Sequence, residues 1–260
     1  MDVRAKCLLG LGLMCERQGN YAEAKMHWLE SQHLYQALGD RVHEASMSAA
    51  LGVIAIDERD FAQAHKIFLE SVAFCQQEDL TFGLASAYSN LGFIANAQAH
   101  YATAIQYFDD AIRLRRMHGS QTDLAWCLSQ LGYAQAYSDD MLLARASFLE
   151  CLSLCQQLGD ALTTLDALEG MALIASCCEH EVLGIQLYAA AERHNAEMGT
   201  QNSLAHPLGP MSREERLEAL RRSMGLESFA KSWQKGTALS LDEAILLARE
   251  EIGVGDNVST

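Results

Sequence analysis

The segment Cys177-Cys178-Glu179-His180 contains residue types that could bind a metal ion. Thiolates, imidazoles and carboxylates are the ligands that zinc takes in proteins. Adjacent residues of a helix point about 100° apart, however, so they do not converge on one ion. No second pair with zinc-ligand spacing stands near this segment in the sequence. We interpret these residues as buried thiols beside a turn histidine and predict no metal site.

Two other spacings are typical of metal or redox chemistry. Cys151 and Cys155 are four residues apart and would share one helix face. Cys151 occupies a position that is small in every repeat of this chain, which indicates a packing role. His43-Glu44 begins like a zinc-protease helix but lacks the second histidine that such a helix needs. We predict that neither spacing forms a metal site.

The densest basic cluster is Arg113, Arg115 and Arg116, which could contact a phosphate group. We interpret it as a solvated helix face. No pairing of a nucleophile with a general base is visible in the sequence. We therefore predict that the protein is not an enzyme and binds no cofactor. A third possible class is a hydrolase. Turnover of a generic ester or phosphate by the purified protein would support that class.

The composition narrows the class of protein further. Half of the 260 residues are apolar, which is enough for a packed core. The formal net charge is −15, so the chain has no general electrostatic attraction to nucleic acid or to an anionic membrane. No proline precedes Pro207, which permits long helices. No apolar stretch approaches the roughly 18 residues of a membrane span, and we expect a cytoplasmic protein.

A Leu-Gly pair recurs every 40 residues along the chain. Its glycines are Gly12, Gly52, Gly92 and Gly132. An alanine follows each glycine at a constant distance: Ala24, Ala64, Ala104 and Ala144. An aromatic residue follows each alanine four positions later: Trp28, Phe68, Phe108 and Phe148. A fifth copy keeps the phase with Ala172 and Tyr188. Apolar residues three and four apart in both halves of each copy predict a pair of helices per repeat.

Each of the recurring glycines falls in the middle of a predicted helix. Glycine there costs about 1 kcal/mol relative to alanine, so its repetition needs a physical reason. Without a Cβ atom, the first helix lets a side chain of the second helix approach its backbone. We predict that the aromatic ring of each second helix packs against the glycine of the first.

The pattern of Leu11-Gly12 followed by Ala24-x-x-x-Trp28 resembles the tetratricopeptide repeat, over residues 2 to about 199. The period of 40 is longer than the usual value of about 34, and the end-of-repeat proline is missing. The resemblance implies an all-α fold, a right-handed superhelix (an α–α solenoid) whose concave face is formed by the first helices. The five repeats would span about 1–40, 41–80, 81–120, 121–160 and 161–200.

The sequence after residue 200 predicts a joint and a helical cap. The two prolines lie in a Pro/Gly joint at 201–211. Ser212 with Glu215, and Ser240 with Glu243, form capping boxes that begin helices. Because a terminal repeat exposes an apolar face, we predict a three-helix C-terminal cap at 212–253, followed by a flexible tail at 254–260.

Residues 188–244 also resemble the C-terminal end of large bacterial regulatory ATPases of the LuxR/AfsR type, the MalT-like tetratricopeptide region. The resemblance is carried by residues 188–193, by Ala230-x-x-Trp233 and by residues 236–244. It implies a C-terminal piece of a larger regulator, or a shortened relative, with an upstream nucleotide-binding switch domain in the longer parent. This sequence contains no G-x-x-x-x-G-K-[ST] loop, and nothing basic or like a DNA-binding helix-turn-helix follows Ile252. We predict no ATPase activity and no direct DNA binding by this chain.

The repeat phase predicts which residues line the concave groove. In the third and fourth repeats these positions carry aromatic rings, amides and hydroxyls, which suit an extended peptide or a small effector. The predicted groove residues are Ser86, Ser89, Asn90, Phe93, Asn96, Trp126, Ser129, Gln130, Tyr133 and Tyr137. The alternative is that these residues pack against the next repeat.

Two functions are consistent with these observations. The first is a sensor and interaction module of a bacterial signal-transducing transcriptional regulator, which binds a peptide, protein or metabolite and biases a switch domain. The second is a stand-alone tetratricopeptide scaffold or a peptide-pheromone receptor that uses groove amides such as Asn90 and Asn96.

Overall fold

The computed structural model describes residues 2–199 and 211–249. This part of the chain contains thirteen α-helices and no β-strand, which confirms the predicted all-α class. The helices are α1 (Asp2–Arg17), α2 (Tyr21–Leu38), α3 (Arg41–Asp57), α4 (Phe61–Gln77), α5 (Thr81–Ala97), α6 (Tyr101–His118), α7 (Gln121–Tyr137), α8 (Met141–Leu158), α9 (Ala161–Cys177), α10 (Glu181–Met198), α11 (Arg213–Met224), α12 (Leu226–Thr237) and α13 (Leu241–Arg249).

Helices α1–α10 form five consecutive helix pairs, joined by short turns. Aspartates begin several of them. Each accepts a hydrogen bond from the backbone N–H three residues later, which satisfies a donor that the first turn of a helix leaves free. The capping aspartates are Asp40, Asp60, Asp140 and Asp160.

The chain divides into two compact units, Met1–Ile94 and Ala95–Thr260. In the first unit α1 packs on α2, α2 on α3 and α3 on α4. Its core contains Trp28, Tyr35, Met47 and Ile54, all nearly inaccessible to solvent. These residues come from α2 and α3, so successive repeats share one core.

In the second unit α6 to α10 pack in chain order, and α7 also contacts α9. Helix α12 packs on α10, and α13 packs on α9 and α10. The approach of α12 is close, because a Cβ atom on Gly236 would lie 2.7 Å from the Cα atom of Gln186 and 2.8 Å from Cβ of Ala189. Both predicted capping boxes are confirmed, at Ser212 and at Ser240. The predicted Pro/Gly joint, apart from residue 211, and the predicted tail lie outside the described residues.

The predicted contact between repeat glycines and aromatic rings is confirmed in three repeats. A Cβ atom on Gly132 would lie 2.8 Å from the ring of Phe148. A Cβ atom on Gly52 would lie 2.9 Å from the ring of Phe68, and one on Gly12 would overlap the indole of Trp28. Glycine is therefore required by packing at these positions.

The turn inside each repeat contains one residue with positive φ, always at the same phase. These residues are Gly19, Arg59, Ala99, Asp139 and Glu179, with φ between 59° and 76°. A side chain with a Cβ atom is strained in this left-handed region by about 1–2 kcal/mol. Four of the five repeats therefore carry local strain in this turn.

We expect the replacements Arg59→Gly and Ala99→Gly to raise the free energy of unfolding by up to about 1 kcal/mol each, since glycine removes that strain. Gly19→Ala is the matched control and should lower it by a similar amount. Urea unfolding followed by circular dichroism measures all three variants. A loss of stability in both glycine variants would contradict the strain argument.

The cysteine positions differ from the prediction in part. Cys75, Cys127, Cys151 and Cys155 are buried, as packing thiols should be. Cys177 is exposed, so the interpretation as a buried thiol was wrong for this residue, and Cys7 is exposed as well. Burial at a repeat position requires a neighbouring helix on that face, and the sequence pattern alone does not reveal whether one is present.

Candidate functional site

The structure divides the predicted groove residues into two classes. Half-buried side chains are those of Ser86, Asn90, Phe93, Trp126 and Tyr137. Fully buried side chains are those of Ser89, Asn96, Ser129, Gln130 and Tyr133. Burial of five polar groove residues means that direct access from solvent is limited to the first class.

The members on α5 that belong to the first unit make local hydrogen bonds. Ser89 Oγ donates to the backbone carbonyl of Ala85 at 2.8 Å. Asn90 Nδ2 donates to the backbone carbonyl of Ser86 at 2.9 Å. These bonds stay within one helix, so they orient the side chains without joining α5 to another element.

In the second unit Asp166 of α9 holds a network of predicted groove residues together. Ser129 Oγ and Gln130 Nε2 both donate to Asp166 Oδ2, the second at 3.3 Å. Tyr133 Oη donates to the backbone carbonyl of Asp166 at 2.8 Å. Asn96 Nδ2 donates to the backbone carbonyl of Gln130 at 3.0 Å. We call these five residues the α7–α9 network.

Two acceptors of the α7–α9 network have no donor among the described residues. They are the side-chain amide oxygens of Gln130 and Asn96, and both side chains are buried. A buried amide oxygen without a hydrogen bond costs about 1–3 kcal/mol of desolvation. Native proteins keep few such groups, and each one needs an explanation.

Aromatic rings continue the network toward solvent. The ring of Tyr133 meets Phe148 edge-on, with centroids 5.1 Å apart, and stacks on Tyr137 at 6.2 Å. Tyr137 is tilted against Tyr101 at 5.3 Å. Because Tyr101 and Tyr137 are only half-buried, their faces form the accessible end of this surface.

A second buried carboxyl group lies one turn further along α9. Glu169 is 5% exposed, and its Oε1 atom lies 3.6 Å from Arg213 Nε of α11. The same guanidinium lies 2.9 Å from a carboxylate oxygen of Glu192 and 5.6 Å from the ring centroid of Tyr188. Two acidic side chains and one aromatic face thus surround a single arginine.

Burial controls the titration of the phenols at this site. It raises the pKa of Tyr133 well above its ordinary value, and nearby Asp166 and Glu169 act in the same direction. Burial also raises the pKa of Tyr188, while Arg216 opposes the change. Both phenols therefore remain protonated and keep a hydrogen that can be donated.

Sequence reasoning missed Asp166, Glu169 and Arg213. A signal for the two acidic residues was available, because they occupy in the fifth repeat the same phase as Trp126 and Ser129 in the fourth. No signal was available for Arg213, which reaches the site only because α11 folds back onto α10.

An apolar cleft lies between α10, α11 and α12. Its walls include Leu217, Leu226, Phe229 and Trp233, and Glu192, Glu214 and Glu218 stand among its lining residues. The rings of Phe229 and Trp233 stack with centroids 5.7 Å apart. These aromatic residues were predicted to belong to the cap, and they line this cleft as well.

Each arginine of the predicted basic cluster is engaged by a carboxylate. Arg115 is 5% exposed and pairs with Asp123 at 2.6 Å, so the interpretation as a solvated face was wrong for this residue. The exposed pairs are Arg113 with Asp110 and Arg116 with Glu150, each at 2.8 Å. Among the described residues there is no group of three or more His, Cys, Asp or Glu side chains that could hold a metal ion. None of the described helices is long and apolar enough to cross a membrane.

The fold and the repeated helix pairs define the class of a tetratricopeptide-type helical repeat protein, a class suited to protein interaction. The sequence model of the tetratricopeptide repeat family matches residues 84–119. This segment contains α6 and most of α5.

A solved structure supports the same fold over most of the chain. The crystal structure of the apo form of RapI matches with a TM-score of 0.67 and 14% sequence identity. The match covers 94% of this chain and 84% of RapI. No curated protein matches this chain by sequence.

Proposed function

We propose that this chain is a non-enzymatic interaction module that binds an extended peptide segment of a partner along α7 and α9. The observation that carries the proposal is the set of half-buried aromatic rings, of Trp126, Tyr137 and Tyr101, beside the α7–α9 network. Aromatic side chains that are partly open to solvent bind the side chains of an extended segment. The α7–α9 network behind these rings joins α7 to α9 through Asp166.

The composition of the α7–α9 network favours recognition over simple stacking. A contact that only stacks repeats is satisfied by apolar side chains, as at Leu131 and Met171, which are also buried. Burying Ser129 and Gln130 instead costs free energy, which their hydrogen bonds within the network offset. The network also fixes the positions of the rings beside it, so a ligand meets a preformed surface.

The half-buried aromatic residues supply apolar contacts for the same ligand. Trp126 lies in an edge-on arrangement with Phe108, with centroids 6.3 Å apart, so the orientation of its ring is held in advance. Tyr137 is held between Tyr101 and Tyr133. Rigid aromatic side chains bind with a small loss of conformational entropy.

We further propose that the module serves a bacterial signal-transducing regulator of the LuxR/AfsR type. In this proposal ligand binding biases an upstream nucleotide-binding switch domain of a longer parent protein. The resemblance of residues 188–244 to that family supports the proposal. A reading frame with a phosphate-binding loop directly upstream of Met1 would support it further, and a frame without one would favour the alternative.

The alternative is a stand-alone scaffold or a receptor for a short peptide. The likeness to RapI, which covers 94% of this chain and 84% of RapI, is equally compatible with this alternative. Both functions use the same surface of α7 and α9.

The binding proposal is tested by a thermal-shift screen of the purified chain against a library of short peptides and metabolites. We expect a peptide to raise the melting temperature, and titration calorimetry then gives its affinity. Trp126→Ala should weaken that affinity at least about tenfold, the effect typical of an aromatic anchor. Tyr137→Ala, at the accessible end of the same surface, should weaken it as well.

Leu142→Ala is the matched control, because Leu142 is 65% exposed on α8 and lies outside the network. This variant should bind with unchanged affinity. If every bound peptide tolerates both Trp126→Ala and Tyr137→Ala, the surface of α7 and α9 is not the binding site.

A further inference from the structure

Arg216 of α11 reaches the point where α7 and α9 end. Tyr137 and Cys177 are the last residues of these two helices, which pack on each other, and they occupy the same phase of the repeat. The guanidinium of Arg216 is hydrogen-bonded to the thiol of Cys177. It also donates to the backbone carbonyl of Met211 at 3.0 Å. We call Arg216, Cys177, Tyr137 and the adjacent Tyr101 the Arg216 site.

The charge of Arg216 has no partner charge among the described residues. Every ion pair that α11 makes in this part of the chain uses another of its arginines, namely Arg213, Arg221 or Arg222. Residues 200–210, which precede α11 in the sequence, contain no Asp or Glu. The half-buried guanidinium of Arg216 therefore carries a positive charge that no described carboxylate neutralises.

The neighbours of Arg216 can donate hydrogen bonds to an anion. Burial raises the pKa of the Cys177 thiol; the charge of Arg216 opposes this rise, and the exposed Asp139 adds to it. Burial also raises the pKa of Tyr137, again against the effect of Arg216, and it raises the pKa of Tyr101. The thiol and both phenols therefore stay protonated near neutral pH and keep hydrogens that can be donated.

A carboxylate is the anion that fits this arrangement. A guanidinium binds a carboxylate through two parallel hydrogen bonds. The rings of Tyr101 and Tyr137, with centroids 5.3 Å apart, place further donors on the accessible side. Arg213, three residues earlier on α11, is already paired with Glu192 at 2.9 Å and adds no free charge. The site thus presents one positive charge, which matches a monoanionic carboxylate better than a phosphate group of charge about −2.

We propose that Arg216 binds a carboxylate of the extended peptide, either an acidic side chain or a free C-terminus, at this end of the α7–α9 surface. This inference rests on the proposed function, because it assigns one end of the same peptide. Trp126 lies eleven residues before Tyr137 on α7, which is about 16 Å along the helix axis. An extended chain covers that length with about five residues, so the carboxylate lies about five residues from the side chain that contacts Trp126.

The charge of the Arg216 site is tested first without a peptide. Iodoacetate and iodoacetamide alkylate the same thiolate, so the ratio of their rates at Cys177 cancels the fraction of thiolate and reports the attraction of a carboxylate. Normalised to the exposed Cys7 of the same chain, this ratio should be about fivefold higher at Cys177, the effect of one unit charge at about 4 Å in water. Mass spectrometry of the digested protein measures the rate at each cysteine.

Three variants assign the effect to Arg216. Arg216→Gln should abolish the preference for iodoacetate, whereas Arg216→Lys should keep it, because lysine retains the charge. Arg222→Gln is the matched control on the same helix and should leave the ratio unchanged, since the side chain of Arg222 is 77% exposed and pairs with Glu218. A ratio at Cys177 equal to that at Cys7, or a preference that survives in Arg216→Gln, would overturn the proposal.

Three matched pools of acetylated peptides of about six residues then identify the source of the carboxylate. The first pool ends in a free carboxylate, the second in an amide, and the third in an amide with one aspartate; the other positions are randomised over uncharged residues. We expect at least one anionic pool to raise the melting temperature more than the neutral pool, and Arg216→Gln to remove the difference. A response to the first pool alone identifies a C-terminal carboxylate, and a response to the third alone identifies a side chain.

The same pools separate failure of this inference from failure of the proposed function. Equal shifts with all three pools, lowered by Trp126→Ala, would overturn the role of Arg216 and leave the proposed function in place. A preference for carboxylate that depends on Arg216 but is unchanged in Trp126→Ala and Tyr137→Ala would overturn the proposed function and retain the role of Arg216. If no pool raises the melting temperature of the parent chain, both proposals fail.

Discussion

Replacing Phe148 with alanine is expected to lower the free energy of unfolding by about 3–5 kcal/mol, the range for a large aromatic side chain in a core. The ring is completely buried and lies against two helices at once. A Cβ atom on Gly132 of α7 would be 2.8 Å from it, and one on Gly170 of α9 would overlap it. The loss of the ring therefore leaves a cavity between three helices, which the glycines do not fill.

Urea unfolding followed by circular dichroism measures this effect. Leu142→Ala on the same helix is the control, because Leu142 is 65% exposed and a surface replacement usually changes stability by less than about 0.5 kcal/mol. The tyrosine fluorescence should change together with the helix signal, since Tyr133 lies edge-on against the ring at 5.1 Å. A loss below about 1 kcal/mol would show that α8 does not depend on this contact.

The second large effect is expected at Gly12, where two glycines of one helix provide a matched comparison. A Cβ atom on Gly12 would overlap the indole of Trp28, whereas one on Gly10 would meet nothing within 4 Å. We expect Gly12→Leu to lower the free energy of unfolding by about 3 kcal/mol or more, because overpacking forces the helices apart. Gly10→Ala should instead raise it by up to about 1 kcal/mol through helix propensity.

In the same unfolding measurement, the two variants should change the free energy of unfolding in opposite directions. The position of Trp28 also provides a local probe, because its indole is 1% exposed and its fluorescence should shift to longer wavelength in Gly12→Leu as water reaches it. If the two replacements changed the free energy of unfolding equally, the glycines would affect only the conformation of the helix backbone. That result would contradict the packing explanation.

The helix pairs were predictable because their signals are local. The Leu-Gly and aromatic positions recur at one period, and the contact of Gly132 with Phe148 joins residues only 16 positions apart, as their numbers show. Caps are still more local, since Ser212 and Glu215 lie within one turn of helix. Such features depend on neighbours in the chain, which the sequence displays directly.

For the candidate site, the sequence predicted which residues to consider but not their contacts or their burial. The repeat phase selects Ser129, Gln130 and Tyr133 but does not reveal that Asp166, from the next repeat, binds all three. It also does not distinguish a half-buried Trp126 from a buried Tyr133. Burial is a property of what lies opposite a residue: Tyr133 bonds to α9, whereas the ring of Trp126 meets Phe108 of α6.

The sequence by itself determined the class of fold, the period of the repeat and the places where glycine admits an aromatic ring, because each rests on helix geometry and short-range packing. Only the tertiary structure decided which of the repeated positions are covered. Leu131 is buried and Leu11 is 45% exposed, although both occupy the same phase of the repeat. Residues at the same phase of the repeat differ in burial because α7 has a neighbouring helix on this side, whereas α1 has an open face. Removal from water lowers the free energy of an apolar side chain, so the same residue type stabilises one helix more than the other.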